Sequence, residues 1–353
     1  MQIQNSPPML ALNTADIIYV RASVSSRCNL NCVYCPKPSG MENRVPEKYK
    51  GQELSTEHYL NNLSHLARNG IKGLAFTGGE PTLNPNLPVL IIGARKLFHR
   101  VELTTNGFRL LQILHQIAPY LDLIKISLDG VDPQFVKRIT GSTKDEVGRA
   151  FTAIRESCKV GLNVAVNMVI MRSNIAQIPD MIKLCQEINK VGPGKVYISL
   201  LDLYFSSERK SFWEKEFFPL DLLEENFTKQ YGVPVKEEKF GCRFYWLDVD
   251  GVKIRFKDSI SATQRAPKCQ SCQFYCQEGI YGLKHSIEGW VTTCPNNDLN
   301  HGVLLSPKVT NTDADRLLNS LISDICMAQP DPYSFKNLIR FYGLRPSISA
   351  IKE

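Results

Sequence analysis

Three cysteines, Cys28, Cys32 and Cys35, fall within the stretch Ser-Arg-Cys-Asn-Leu-Asn-Cys-Val-Tyr-Cys-Pro that runs from Ser26 to Pro36. Thiolates suit soft iron or zinc, and this spacing keeps three of them on one tight loop able to wrap a single inorganic centre. A cubic [4Fe-4S] cluster has four iron corners, so three cysteines leave one iron without a protein ligand. Chemistry belongs at that open corner. The competing use of such a loop, a zinc knot, wants a fourth ligand close by. The nearest histidines, His58 and His65, both fall on an expected helix.

Delivering such a loop requires a scaffold, and the flanking sequence supplies an alternating one. From Asp16 the run Ile-Ile-Tyr-Val-Arg-Ala-Ser-Val reads as a strand leading into the cysteines. Helices are then expected near Thr56–Arg68, Pro88–Leu97, Leu110–Ala118, Lys144–Cys158 and Ile178–Ile188. Strands are expected at Gly73–Phe76, Val101–Thr105, Leu123–Leu128, Asn163–Ile170 and Lys195–Leu201. Alternation of this kind implies right-handed crossovers and a parallel sheet. Six strands are too few for a closed eight-stranded barrel, so the expected fold is α/β, a partial (β/α)6 barrel open along one side. Gly78-Gly79-Glu80-Pro81, Asn106-Gly107 and Asp129-Gly130 each follow a strand directly, on the face where parallel barrels carry their active sites.

The Cys-x3-Cys-x2-Cys loop, with Tyr34 just before its third cysteine, resembles the signature of the radical S-adenosylmethionine (SAM) superfamily. The resemblance implies the same partial barrel. It also implies a [4Fe-4S] cluster whose open iron chelates SAM, and reductive cleavage of SAM to a 5'-deoxyadenosyl radical that abstracts hydrogen from substrate. Gly78, Gly79 and Glu80 resemble the loop that receives the SAM amino group. Ser127 and Asp129 match the strand end that binds its ribose and carboxylate, and Tyr34 and Asp202 lie where the family touches adenine. In isolation, Gly-Gly-Glu is usually a turn, and Ser-Leu-Asp equally an ordinary strand end.

The resemblance narrows to the molybdenum-cofactor GTP 3',8-cyclase family over most of the chain. Tyr19-Val-Arg-Ala-Ser-Val, Phe76-Thr-Gly-Gly-Glu-Pro, Leu103-Thr-Thr-Asn-Gly, Ile126-Ser-Leu-Asp, Ile139-Thr-Gly and Val166-Asn-Met-Val-Ile-Met-Arg recur there in this order. In that family a cage of cations holds the triphosphate. Arg21 is retained and Thr104 keeps a hydroxyl. Yet Ala75 and Ala165 stand where an arginine and a lysine are expected, Tyr197 replaces a strand arginine, and Gly282 and Lys284 replace an arginine pair. The family's terminal Gly-Gly does not appear in Ile351-Lys352-Glu353. Each lost bidentate contact forgoes roughly 1.5 to 3 kcal/mol. The expectation is therefore radical chemistry on a small organic molecule, a nucleotide, nucleoside or sugar derivative, without GTP cyclisation. Arg21, Thr104, Tyr197 and Lys284 are the candidate substrate contacts.

A second cysteine group, Cys269, Cys272, Cys276 and Cys294, resembles the family's auxiliary [4Fe-4S] site. There three cysteines bind and the spare iron contacts the purine. If Cys276 also ligates, every iron is capped and the cluster becomes an electron relay or staple; a four-cysteine zinc site is the rival. The cysteines Cys158, Cys185, Cys242 and Cys326 lie apart in apolar or helical surroundings, where inert thiols are the default.

Composition bounds the rest. At 353 residues the chain can bury one large domain plus an appendage. The expected division is an irregular lead-in over 1–15, the core barrel over 16–205, a connector over 206–235 and a C-terminal cluster region with closing helices over 236–353. The connector includes Glu208–Phe218, read as a surface helix with an aromatic stripe. In the C-terminal region, Asp250-Gly251 signals a hairpin within Phe240–Lys257, and the closing helices are Asp313–Ile325 and Ser334–Tyr342. A net charge of +7 without a dense basic run favours anionic small molecules over nucleic acid. No apolar stretch reaches the roughly 20 residues of a membrane helix, and the N-terminus carries no signal-peptide pattern. A reducing cytoplasm suits clustered free thiols. An external one-electron reductant such as flavodoxin or ferredoxin is the implied partner. Three rival functions remain open: a GTP 3',8-cyclase of molybdenum cofactor biosynthesis, a peptide-modifying radical SAM enzyme and a non-catalytic iron-sulfur or zinc protein.

Overall fold

The computed structural model describes residues 19–36, 45–142, 144–205, 207–239, 242–258, 264–269, 279–294 and 302–330. Six parallel strands alternate with helices as expected: β1 (Tyr19–Ser23), β2 (Gly73–Thr77), β3 (Arg100–Thr105), β4 (Leu123–Ser127), β5 (Val164–Ile170) and β6 (Val196–Asp202). The principal crossover helices are α1 (Thr56–Arg68), α2 (Leu87–Arg95), the short α3 (Leu114–Ile117), α4 (Pro133–Thr140), α5 (Glu146–Lys159) and α6 (Ile178–Ile188). Their apolar faces pack on the strands in one continuous core that includes Leu63, Leu66, Phe76, Ile91, Leu103, Ile154 and Met181.

Two helices depart from expectation for local reasons. The single helix expected over Leu110–Ala118 is broken into 3-10 turns at Leu110–Gln112 and Ala118–Tyr120 around α3. Ile113 sits at φ −125°, outside helical geometry, and Pro119 lacks the N–H that would continue the ladder. Conversely, α4 was not expected. Its signals are present in the sequence: Asp132 caps it by accepting from the Gln134 N–H, Pro133 opens its first turn, and Gly141 ends it with φ +66°.

The C-terminal part joins the same sheet. α7 (Lys210–Glu216) and α8 (Leu220–Tyr231) follow β6. Trp213 of α7 is buried, stacked 4.1 Å from Phe217, with its indole N–H donating to the Leu203 carbonyl. Then come β7 (Val235–Lys239), β8 (Cys242–Val249) and β9 (Val252–Asp258). The β8–β9 hairpin turns at Asp250 (φ +52°) and Gly251 (φ +81°), the pair of left-handed residues that tight hairpins require.

β9 pairs in parallel with β6, extending the sheet on that side. A short β10 (Gln264–Arg265) pairs with β14 (Gln329–Pro330). β11 (Leu283–His285) pairs in parallel with β1 and is followed by β12 (Trp290–Thr292) and β13 (Gly302–Leu304), before α9 (Asn311–Cys326). The result is one 12-stranded sheet in the order β13-β12-β11-β1-β2-β3-β4-β5-β6-β9-β8-β7. A partial barrel of six strands is therefore flanked at both edges by chain from the C-terminal region, an arrangement absent from the sequence expectations. Phe244 of β8 packs with Tyr281, which precedes β11, so the two flanks meet across the barrel's open side. No helix among the described residues is long and apolar enough to cross a membrane. The lead-in over 1–15, the helix expected at Ser334–Tyr342, and Cys272 and Cys276 lie outside the described residues.

Candidate active site

The cysteine loop leaves β1 and is fastened on four sides. Gly79 N–H donates to the Ser25 carbonyl at 2.7 Å and Glu80 N–H to the Arg27 carbonyl at 2.8 Å. This docking explains both glycines. A Cβ on Gly78 (φ +142°) would lie 2.4 Å from the Ser25 oxygen, and one on Gly79 would lie 2.3 Å from the Arg27 oxygen. On the opposite side, Asn31 and Val33 N–H groups donate to the carbonyls of Thr140 and Ile139 at the end of α4, each at 2.9 Å. The Asn106 side chain donates to Asn29 at 2.9 Å. Tyr34 hydroxyl donates to Asp129 Oδ2 at 2.5 Å.

Two carboxylates singled out by sequence are consumed in this scaffold. Glu80 is 1% exposed and accepts from the Thr82 N–H and hydroxyl, the Thr105 hydroxyl and the Asn106 N–H. Burial pushes its carboxyl above the usual range, against those four bonds. Asp129 accepts from Tyr34 and from the Val169 N–H of β5 at 2.8 Å. Burial raises it to about 6, opposed by the same two donors. Both carboxylates act as positioning groups: Glu80 ties together the loops after β2 and β3, and Asp129 ties the loop after β4 to the cysteine loop and to β5.

A cavity of about 260 Å³ opens inside that rim. Its wall includes Cys28, Cys32 and Cys35, with Tyr34, Gly78, Gly79, Glu80, Ser127 and Asp129, and Arg21 and Thr104 from beneath. The structure thus brings together every expected member of the cluster and SAM sets except Asp202, which ends β6 opposite Ile170 and lines neither this cavity nor the larger one. Burial pushes the Cys32 thiol well up, reinforced by Asp129, Cys35 and Cys28.

Below lies a larger cavity of about 630 Å³ running through the barrel. Arg21, Thr77 and Thr104 line both, so the two spaces share a wall. Tyr197 lines the larger one, 5.2 Å from the Trp246 ring. Lys284 does not: it is 2% exposed, with its ammonium 5.8 Å from the Tyr281 ring, and Tyr281 takes the cavity position. Ala75 lines this cavity too. Deep in it, Glu102 is held between Lys125 and Arg100, each at 2.5 Å. These two cations outweigh burial and hold its carboxyl down at about 2.

Three further groups were missed by the sequence reading. Glu146, at the start of α5, lines the smaller cavity with a buried Oε1 that has no hydrogen-bond partner among the described residues, and Asn167 lines the larger with an Oδ1 likewise without one. Nothing in a single sequence marks them. Arg255 and Lys257, with Lys253, project from β9 at alternate positions along Lys-Ile-Arg-Phe-Lys and line the larger cavity. That alternation was visible.

Residues 22–185 match the Radical SAM superfamily. The chain is 30% identical over 259 residues to a probable GTP 3',8-cyclase of Saccharolobus islandicus, covering 66% of this chain and 80% of that protein. The chain belongs to the radical SAM superfamily. It is a radical SAM enzyme, similar to the GTP 3',8-cyclases over most of its length. A second relative, the PqqA peptide cyclase of Gluconobacter oxydans, is 32% identical over 203 residues, covering 56% of this chain and 51% of that protein. Among solved structures, Streptococcus suis SuiB bound to S-adenosylmethionine superposes with a TM-score of 0.54 at 15% identity, over 79% of this chain and 60% of that one, a likeness of fold.

Membership implies a [4Fe-4S] cluster and SAM, and the donor set fits them. Three half-buried thiols face one cavity. Among the described residues, no three His, Cys, Asp or Glu side chains converge as a single ion needs, whereas a cube takes each thiolate on a separate corner. The orphaned acceptors Glu146 Oε1 and Asn167 Oδ1 suit a ligand rich in N–H and O–H groups.

Proposed function

We propose that this radical SAM enzyme abstracts hydrogen from a small organic substrate bound in the 630 Å³ barrel cavity, and that it does not cyclise GTP. The observation that carries this reading is the shared wall: Arg21, Thr77 and Thr104 face both the cysteine-lined cavity and the larger one. Cys28, Cys32 and Cys35 would hold the cluster, and Gly78, Gly79, Ser127 and Tyr34 would surround SAM, with Asp202 at the adenine end as the family pattern implies. When bound, the cluster with SAM supplies one-electron cleavage of a sulfur–carbon bond and hence a hydrogen-abstracting radical.

The chain's own residues then have separable tasks. Glu80 and Asp129 fix the rim, Thr104 and Tyr197 offer polar contact to substrate, Arg21 attracts an anionic group, and Lys284 adds positive potential from a buried position. The alanines at 75 and 165 leave the cavity without two cations that a triphosphate cage needs. Anaerobic reconstitution with dithionite and SAM is expected to yield 5'-deoxyadenosine, and incubation with GTP no 3',8-cyclic product. Turnover of GTP to that product would establish the cyclase reading instead, and transfer of label to a peptide the peptide-modifying one. A chain that binds iron but never cleaves SAM would be the non-catalytic protein.

A second [4Fe-4S] cluster on Cys269, Cys272, Cys276 and Cys294 belongs to the same proposal. Cys269 and Cys294 are half-buried. About eight irons per chain are expected; about four, with zinc present, would assign the second site to zinc. Exposed Arg27 in the cysteine loop, Lys137 and Arg138 on α4, and Lys144 and Arg149 over the Phe108 ring make no ion pairs among the described residues, and such cations suit an acidic one-electron carrier such as flavodoxin or ferredoxin. Reduction by such a carrier should slow steeply with added salt.

A further inference from the structure

The cations missing from β2 and β5 have counterparts on a strand that the six-stranded barrel does not include. β9 runs parallel to β6, so its C-terminal residues lie toward the same barrel face as the cysteine loop. Ser127, Asn167, Ser199 and Arg255 stand opposite one another in register on β4, β5, β6 and β9. Three strand spacings therefore separate Arg255 from Ser127 in the SAM-side cavity, roughly 14 Å along the sheet. A small molecule can span that.

Arg255 is built as a fixed donor. Its Nη2 and Nε both donate to the Ser199 hydroxyl, at 2.7 and 3.2 Å. Its guanidinium lies 4.7 Å from the Phe244 ring centre, 5.6 Å from Tyr197 and 5.7 Å from Trp246. Among the described residues it makes no ion pair, and neither does Lys257, whose ammonium lies 4.9 Å over the Tyr281 ring. Lys125 and Arg100, by contrast, share the carboxylate of Glu102, which offsets one of their two charges and holds both side chains in place. A rigid guanidinium held by aromatic walls and a hydroxyl, beside a second cation on the same strand, is an arrangement for one compact oxyanion. The aromatic rings favour a flat group attached to it.

We propose that Arg255 and Lys257 form the anion subsite of the barrel cavity. Its ligand is a ring-bearing molecule with a single phosphate or carboxylate, held by the seam between β9 and Tyr281 rather than by the inner strands. This rests on the cavity being the substrate site, but its test does not. Calorimetric titration of the anaerobically reconstituted full chain with GMP, guanosine and GTP, and with benzoate and benzyl alcohol, reads the charge preference directly. At least one anion is expected to bind ten-fold or more tightly than its uncharged counterpart, with GTP no tighter than GMP. GMP preference alone assigns a phosphate; benzoate preference assigns a carboxylate. The Arg255→Met variant keeps the packing stem and should lose the preference, and Arg255→Lys should retain part of it. If neither anion is preferred, or if Arg255→Met keeps the preference, the subsite is overturned. Formation of 5'-deoxyadenosine by the unsubstituted full chain, without substrate, reports on the radical assignment by itself, so failure of that assignment is distinguishable from absence of this subsite.

Discussion

The rim that carries the cysteines and the wall that faces the larger cavity are held by different means. At the rim, the fastening bonds run largely through backbone: Gly79 to Ser25, Glu80 to Arg27, Asn31 to Thr140, Val33 to Ile139. Its carboxylates, Glu80 and Asp129, spend their oxygens on neighbouring loops. The cavity wall is held by side chains: Glu102 between Lys125 and Arg100, Arg255 among three rings, Lys257 over Tyr281. Backbone bonds fix a shape largely independent of residue identity, whereas side chains can be exchanged strand by strand. The same cofactor rim can therefore sit above walls of quite different specificity.

The comparison breaks most visibly at the thiols. Cys32→Ser removes one of three ligands, and 5'-deoxyadenosine formation is expected to fall to background while far-ultraviolet circular dichroism stays unchanged. A variant that still cleaves SAM at more than about one-tenth of the wild-type rate would show that the rim does not house the cluster. That margin is about 1.4 kcal/mol on the barrier.

Gly79→Ala tests whether the rim is a backbone device. The added Cβ would meet the Arg27 carbonyl at 2.3 Å, and backbone cannot swing aside as a flexible side chain does. A cost of about 3 kcal/mol is expected, at the upper end of overpacking effects, with iron content falling in parallel. Stability and iron content equal to wild type would mean that the two loops are free to separate.

Legibility in the sequence follows the same division. The cysteine triad, Gly-Gly-Glu and Ser-Leu-Asp are contiguous, so one pass along the chain finds them, and the alternation of helix and strand suffices for the partial barrel. The β8–β9 turn was equally local, since Asp250-Gly251 can supply the two positive φ angles. α4 was overlooked although Asp132, Pro133 and Gly141 all mark its ends, because its eight residues sit within a connection otherwise filled by α5. What a sequence cannot display is the pairing of β9 with β6 and of β11 with β1. Those pairings turn Arg255, Lys257 and Tyr281 into cavity residues, and they join segments more than 50 residues apart in the first case and more than 250 in the second. Lys284 was a fair expectation from alignment of motifs, but Tyr281, three residues earlier and just ahead of β11, occupies the cavity.

Acid sharpens the contrast on the wall side. Lys125 and Arg100 hold Glu102 at about 2 against a usual value of 4.5. A carboxyl depressed in the folded state contributes stability that is complete above pH 4.5 and lost as the pH falls through about 2. The shift corresponds to about 3 kcal/mol. Urea unfolding of wild type should therefore lose midpoint between pH 5 and pH 3 more steeply than that of Glu102→Gln, in which this group no longer titrates. Parallel acid profiles for the two proteins would show that the buried triad adds nothing to folding.

The smallest effect is expected where rim and barrel meet. Tyr34→Phe deletes the hydroxyl that donates to Asp129 but leaves the Val169 N–H bond and the four backbone bonds of the cysteine loop in place. A hydrogen bond to a carboxylate contributes roughly 1.5 to 3 kcal/mol, so the midpoint should drop modestly while the cluster remains bound. If the rim is a backbone device, iron content in Tyr34→Phe stays at the wild-type level. If the cluster is lost with this one hydroxyl, the rim depends on side chains as much as the cavity wall does, and the distinction between the two regions disappears.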